Sequence, residues 1–139
     1  SEIFGLRKSA THNDAVGSDK PFRRVFHYLI KPGHQDKFWK VRDNMPRAIE
    51  ESGVDLDINA FQSFAGGSMG HVRIVIFEKD MKAFEPGSGD WQKVRDAYNN
   101  LYGDESWEID WELSRSSQRE WGNNVELLEF LPELSSPSN

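Results

Sequence analysis

Three ionisable residues, His27, Arg73 and Glu129, fall within segments that read as β-strands. An imidazole, a guanidinium and a carboxylate gathered around an apolar cavity can orient a polar ligand or move a proton. The same trio can equally form a satisfied ion pair or a solvated edge, because structural ion pairs also place charges together. Asn59 and Phe61 are further candidates for that surface. A second group is aromatic. Trp91, Trp107, Trp111 and Trp121 fall in or beside one helical region, and Trp107 and Trp111, four apart, share one helix face. They can wall a pocket for a planar ligand, or pack a core or a contact between subunits.

Other chemistries find little support. Asp55-x-Asp57-x-Asn59 opens like a calcium loop, but the positions that require Gly and Glu hold Ala60 and Gly66. His12, His27, His34 and His71 lack the close spacing of a metal motif, so no metal site is expected. The run Gly66-Gly67-Ser68-Met69-Gly70 joins two strands and has no phosphate-binding Lys. No G-x-S-x-G elbow occurs, and the absence of cysteine excludes disulfides, thiolate ligands and a Cys nucleophile. No cofactor is expected, with haem the planar group a tryptophan-walled pocket would otherwise suit.

Composition bounds the partners. A chain of 139 residues with 12% aromatics can build one core and is too apolar to be disordered. Its net charge of −6, with basic clusters no larger than Arg7-Lys8 and Arg23-Arg24, argues against nucleic acid. No apolar run approaches a membrane span. The chain begins at Ser1 without Met, which suits a cytoplasmic chain trimmed of its initiator or a secreted or periplasmic one after signal cleavage.

The elements that must position these residues follow from periodicity. Residues 22–30 are rich in β-branched and aromatic types and predict a strand. Phe38, Val41, Met45, Ala48 and Ile49 predict a helix over 34–52, kinked or divided at Pro46 and stopped by Gly53. Strands are expected over 56–64 and 71–78, joined by a flexible glycine-rich hairpin. Asp90 suits the N-cap of a helix ending at Gly103, and Ser106 suits that of another running to about 121, with a last strand over 124–131. Residues 1–20 read as an N-terminal arm, 21–135 as the domain and 136–139 as a C-terminal tail.

The order β-α-β-β-α-(α)-β predicts an α+β fold of the ferredoxin-like type, an antiparallel sheet with helices on one face. That arrangement sets the first strand between the third and the last, so that His27, Arg73 and Glu129 converge, with Asn59 and Phe61 further across. Alternation by two directs Val72, Ile74 and Ile76 under the helices and His71, Arg73, Val75 and Phe77 away from them. Large apolar groups on both faces, with helices covering only one, predict a homodimer through the sheet.

Together, the Pro32-Gly33 turn leading to Phe38-Trp39, the central glycine-rich hairpin, the aromatic second helical region and the strand before Pro132-Glu133-Leu134-Ser135 resemble the dimeric α/β-barrel superfamily. That group includes stress-responsive barrel, NIPSNAP-like and antibiotic-biosynthesis-type monooxygenase proteins. The resemblance implies two sheets packed face to face with helices outside. Relatives that degrade haem or form quinones use an Asn/Trp/His set, and the first strand here offers His27 and no Asn. The first functional expectation is a small-molecule binder, or a cofactor-independent enzyme acting on a small aromatic or polyketide-like compound. Its cavity would lie between sheet and helices, with His27, Arg73 and Glu129 as polar contacts and Trp91, Trp107 and Trp111 as walls. The alternative is a non-catalytic homodimeric or assembly subunit that binds protein partners through its arm and tail.

Overall fold

The computed structural model describes residues 3–13, 20–65, 70–79, 89–119 and 125–130, with 3, 64, 65 and 125–130 described through the backbone alone. In chain order the elements are β1 (Ile3–Leu6), a 3-10 turn (Lys8–Ala10), β2 (Phe22–Leu29), α1 (Gln35–Ser52), β3 (Asp57–Ala65), β4 (His71–Glu78), α2 (Gly89–Tyr102), α3 (Ser106–Ser116) and β5 (Val125–Phe130). The five strands form one antiparallel sheet in the order β1-β3-β4-β2-β5. This is an α+β architecture, and its four strands β3-β4-β2-β5 are compatible with the ferredoxin-like arrangement. No helix among the described residues is long and apolar enough to cross a membrane.

Residues 3–6, within the stretch read as an arm, supply the edge strand β1. What holds them is distant in sequence. Arg7 makes a two-pronged contact with Asp43 on α1, at 2.9 and 2.8 Å, and its guanidinium lies 4.2 Å from the centre of the Trp39 ring. Further on, His12 and Ile58 exchange backbone hydrogen bonds, at 2.8 and 3.0 Å. Ala10, between these anchors, is buried in the main core.

That core lies between one face of the sheet and the helices. Tyr28, Ile58, Ala60, Val72 and Ile74 meet Phe38, Val41, Met45, Ala48 and Ile49 of α1, Val94 and Tyr98 of α2, and Trp107 of α3. The expected strand faces are therefore the observed ones. α1 runs continuously from Gln35 to Ser52 across Pro46, so the helix is not divided there. One lost hydrogen bond is outweighed by the buried side chains packed on either side of it.

Three helix ends differ from expectation: α2 begins at Gly89, so Asp90 is its second residue and not its cap. Ser106 is the first residue of α3 and not its cap; Asn99 of α2 accepts the Trp107 N–H at 2.8 Å and the Ser106 hydroxyl at 3.2 Å. The preceding Glu105 sits at φ 62°, a left-handed conformation that turns the chain sharply between the helices. α3 stops at Ser116, short of 121, because the chain leaves to bridge Gln118 with Ile30 at the end of β2. The glycine-rich connection at 66–69 lies outside the described residues, but Gly70 at its end does not. A Cβ there would stand 2.6 Å from the Ile30 carbonyl oxygen, so this crossing point admits only glycine.

The opposite face of the sheet carries a smaller cluster of Val25, Val75 and Phe77 with Phe61 against it, to which no helix among the described residues contributes. The expectation from the sequence is that a second copy covers Val25, Val75 and Phe77. Within the single chain they are already only 2, 3 and 8% exposed.

Candidate functional site

The structure distributes the candidate residues over both faces of the sheet. In the sheet register Phe61, Arg73 and His27 form one cross-strand row continued by the backbone of Val125. Asn59, Val75, Val25 and Leu127 form the next, and Asp57, Phe77, Arg23 and Glu129 the one after. His27 and Arg73 are thus brought opposite each other as expected. Glu129 stands across from Arg23 and not from His27, and its side chain lies outside the described residues. His27 also meets a group the proposed trio omitted, its Nδ1 lying 3.0 Å from Nε2 of His71. One ring must donate and the other accept in that contact. Arg73 lies 5.7 Å from the Phe61 ring centre, and burial, followed by the charge of Arg23, holds its guanidinium below its ordinary pKa.

Three of the candidate tryptophans are on the other side, and Trp121 lies outside the described residues. Trp91, Trp107 and Trp111 line a partly open cavity of about 310 Å³ between the sheet and the three helices. His27 and Arg73 therefore do not share a cavity with these tryptophans, contrary to expectation. Val25 and His27 alternate with Phe26 and Tyr28, and it is the latter pair that faces the helices. Trp107 and Trp111 stack with ring centres 5.4 Å apart and planes 9° from parallel. Tyr98 abuts Trp107 edge-on at 5.3 Å and fixes that ring from behind. The floor is apolar, with Ile58, Ile74 and Ile76 beside Phe26 and Tyr28.

Tyr98 is anchored in turn. Its hydroxyl donates to Asp110 Oδ2 at 2.6 Å and accepts from Asn44 Nδ2 at 3.0 Å, while Lys40 reaches the other Asp110 oxygen at 3.3 Å. Burial first, and then the bond to Asp110, pushes the phenol's pKa well above its ordinary value. This network ties α1, α2 and α3 together directly behind the tryptophan wall.

The polar part of the wall is formed by Tyr28 and three arginines, Arg24, Arg42 and Arg95, none of which was among the expected site residues. Arg42 is 6% exposed and lies on the buried stripe of α1, one turn from both Phe38 and Met45. Its guanidinium packs 4.1 Å from the Phe38 ring centre and 4.9 Å from those of Tyr28 and Trp111, and it donates to Ser114 Oγ. Burial lowers its pKa, and the Tyr28 hydroxyl partly offsets this. A cation inside an otherwise apolar helical stripe was the available signal for this residue. Among the described residues no cluster could hold a metal ion.

No protein-family model matches this chain, and no curated protein and no solved structure matches it either.

Proposed function

We propose that this protein binds a small, flat organic molecule in the cavity between its sheet and its helices. The observation that carries this is the stacked Trp107–Trp111 pair, held by Tyr98 and facing an apolar floor across a space of about 310 Å³. That volume falls at the lower end of the range for small-molecule sites, and stacked indoles favour a planar ring over a branched chain. Binding is favoured over catalysis because the described wall residues include no carboxylate and no imidazole for proton transfer at neutral pH. His27 and His71 lie across the sheet from the cavity.

The finer architectural reading is a dimeric α/β barrel, in which a second copy covers the face bearing His27, Arg73 and Phe61. It is supported by the strand order and by the partial exposure of those three side chains. It is weakened by Val25, Val75 and Phe77 being buried without a partner.

The cavity reading is tested by titrating the neutral dye N-phenyl-1-naphthylamine and following its emission and the quenching of tryptophan. Saturable binding is expected in the parent and its loss in Ile76→Trp, which fills the cavity floor. Equal binding by a folded Ile76→Trp protein would place the dye elsewhere and refute the reading.

A further inference from the structure

We infer that the ligand of this cavity is an organic anion, an aromatic carboxylic acid or a comparably flat acid, whose acidic head pairs with Arg42. This rests on the cavity reading above and adds the charge of the ligand to it. A chain of net charge −6 has put three cations, Arg24, Arg42 and Arg95, and no acid among the described residues of its cavity wall. Such segregation of sign within a low-dielectric cleft focuses a positive potential where a ligand would enter.

Arg42 makes the case specific. Buried charges in proteins are ordinarily paired, because removing an ion from water without a counter-charge is costly. Long basic side chains on a buried stripe usually extend their heads to solvent instead. Arg42 does neither. Its described partners are three aromatic rings, the Ser114 hydroxyl and the Tyr28 hydroxyl, all of them neutral. Two of those residues, Tyr28 and Trp111, line the cavity together with Arg42 itself. A carboxylate entering the cavity would find a planar donor fork already held by its ring contacts, the geometry guanidinium groups use to bind carboxylates in two-pronged fashion. The stacked indoles beside it would take the ring to which that carboxylate is attached.

The experiment compares 2-naphthoate with 2-naphthamide, which share a shape and differ in charge, by isothermal titration against the parent, Arg42→Met and Arg95→Gln. In the parent the acid should bind about tenfold to a hundredfold more tightly than the amide, the range for hydrogen bonds to a charged group. Arg42→Met should bring the two affinities together, while Arg95→Gln, which removes a second cation of the wall, should narrow the preference less than Arg42→Met does. Equal affinities in the parent would overturn the charge assignment and leave the cavity reading standing. Binding of neither compound would overturn both. A preference that survives in folded Arg42→Met would assign it to another arginine and overturn the role given to Arg42. Should Arg42→Met not fold, the Arg42 Nε–H resonance of the parent decides: 2-naphthoate must shift it where 2-naphthamide does not, and an unmoved resonance overturns the inference.

Discussion

Replacing Arg42 by methionine keeps a long unbranched stem and removes the charge. The consequence for the ligand-free protein separates a cation kept for a ligand from one kept for the fold. The guanidinium stands 4.1, 4.9 and 4.9 Å from three ring centres, and each such contact is worth about 0.5–2 kcal/mol. The methionine thioether recovers part of that through its own contacts with the rings. The hydrogen bond to Ser114 contributes about 1.5 kcal/mol, and after substitution the Ser114 hydroxyl can turn back to a carbonyl of its own helix. Against these losses stands the release of a buried ion that has no anionic partner among the described residues, a relief of several kcal/mol. The opposing contributions cancel to within about 1–2 kcal/mol. Arg42→Met should therefore unfold in urea within about 1.5 kcal/mol of the parent, with an unchanged slope. Addition of 2-naphthoate should raise the midpoint of the parent and not of the variant, by mass action. A loss of about 3 kcal/mol or more in the ligand-free variant would be the cost of breaking a buried pair. It would show that the protein itself supplies the partner, and the argument for an anionic ligand would fail.

The strand faces were legible because alternation by two is local: Val72, Ile74 and Ile76 could face only one way once the strand was drawn. The position of β2 between β4 and β5 was legible because few connections satisfy the element order. What the sequence hid depends on contacts between distant segments. The strand Ile3–Leu6 is short and carries a glycine, and it is fixed by Arg7 reaching Asp43 and Trp39. The cap of α3 comes from Asn99 on the neighbouring helix, which no inspection of Ser106 could reveal. The candidate site divided in the same way. Spacing alone put Trp107 and Trp111 on one face, and they stack. Joining them to His27 and Arg73 required knowing which face of β2 the helices cover, and the helices took Phe26 and Tyr28. Arg42 was the reverse case. Its sign, a guanidinium within an apolar stripe, was in the sequence, but a search for apolar periodicity passes over the charged exception.

Ile74 is 7% exposed among residues of α1 and α2, so Ile74→Ala should cost about 2–5 kcal/mol in chemical unfolding, and a loss below about 1 kcal/mol would mean the faces are reversed. Sedimentation at micromolar concentration should show a dimer if a second copy covers the helix-free face, and a stable monomer would remove the barrel reading. Tyr98→Phe deletes the hydroxyl that donates to the buried Asp110 carboxylate, and should cost about 2 kcal/mol at neutral pH. The pH dependence of that cost has a definite sign. The folded state holds the phenol's pKa above its ordinary value of about 10, so the folded protein keeps its proton where the unfolded chain gives it up. The stabilisation is complete below about pH 10 and declines as pH rises from there toward the folded-state value. Other groups also weaken the fold in alkali, so the informative quantity is the difference between the parent and Tyr98→Phe unfolding free energies. That difference should be flat to about pH 9 and shrink above about pH 10, because phenylalanine has no proton to lose in either state. A difference that stays constant to about pH 11 would mean that the phenol is not the donor holding Asp110, and that the tryptophan wall is braced by something else.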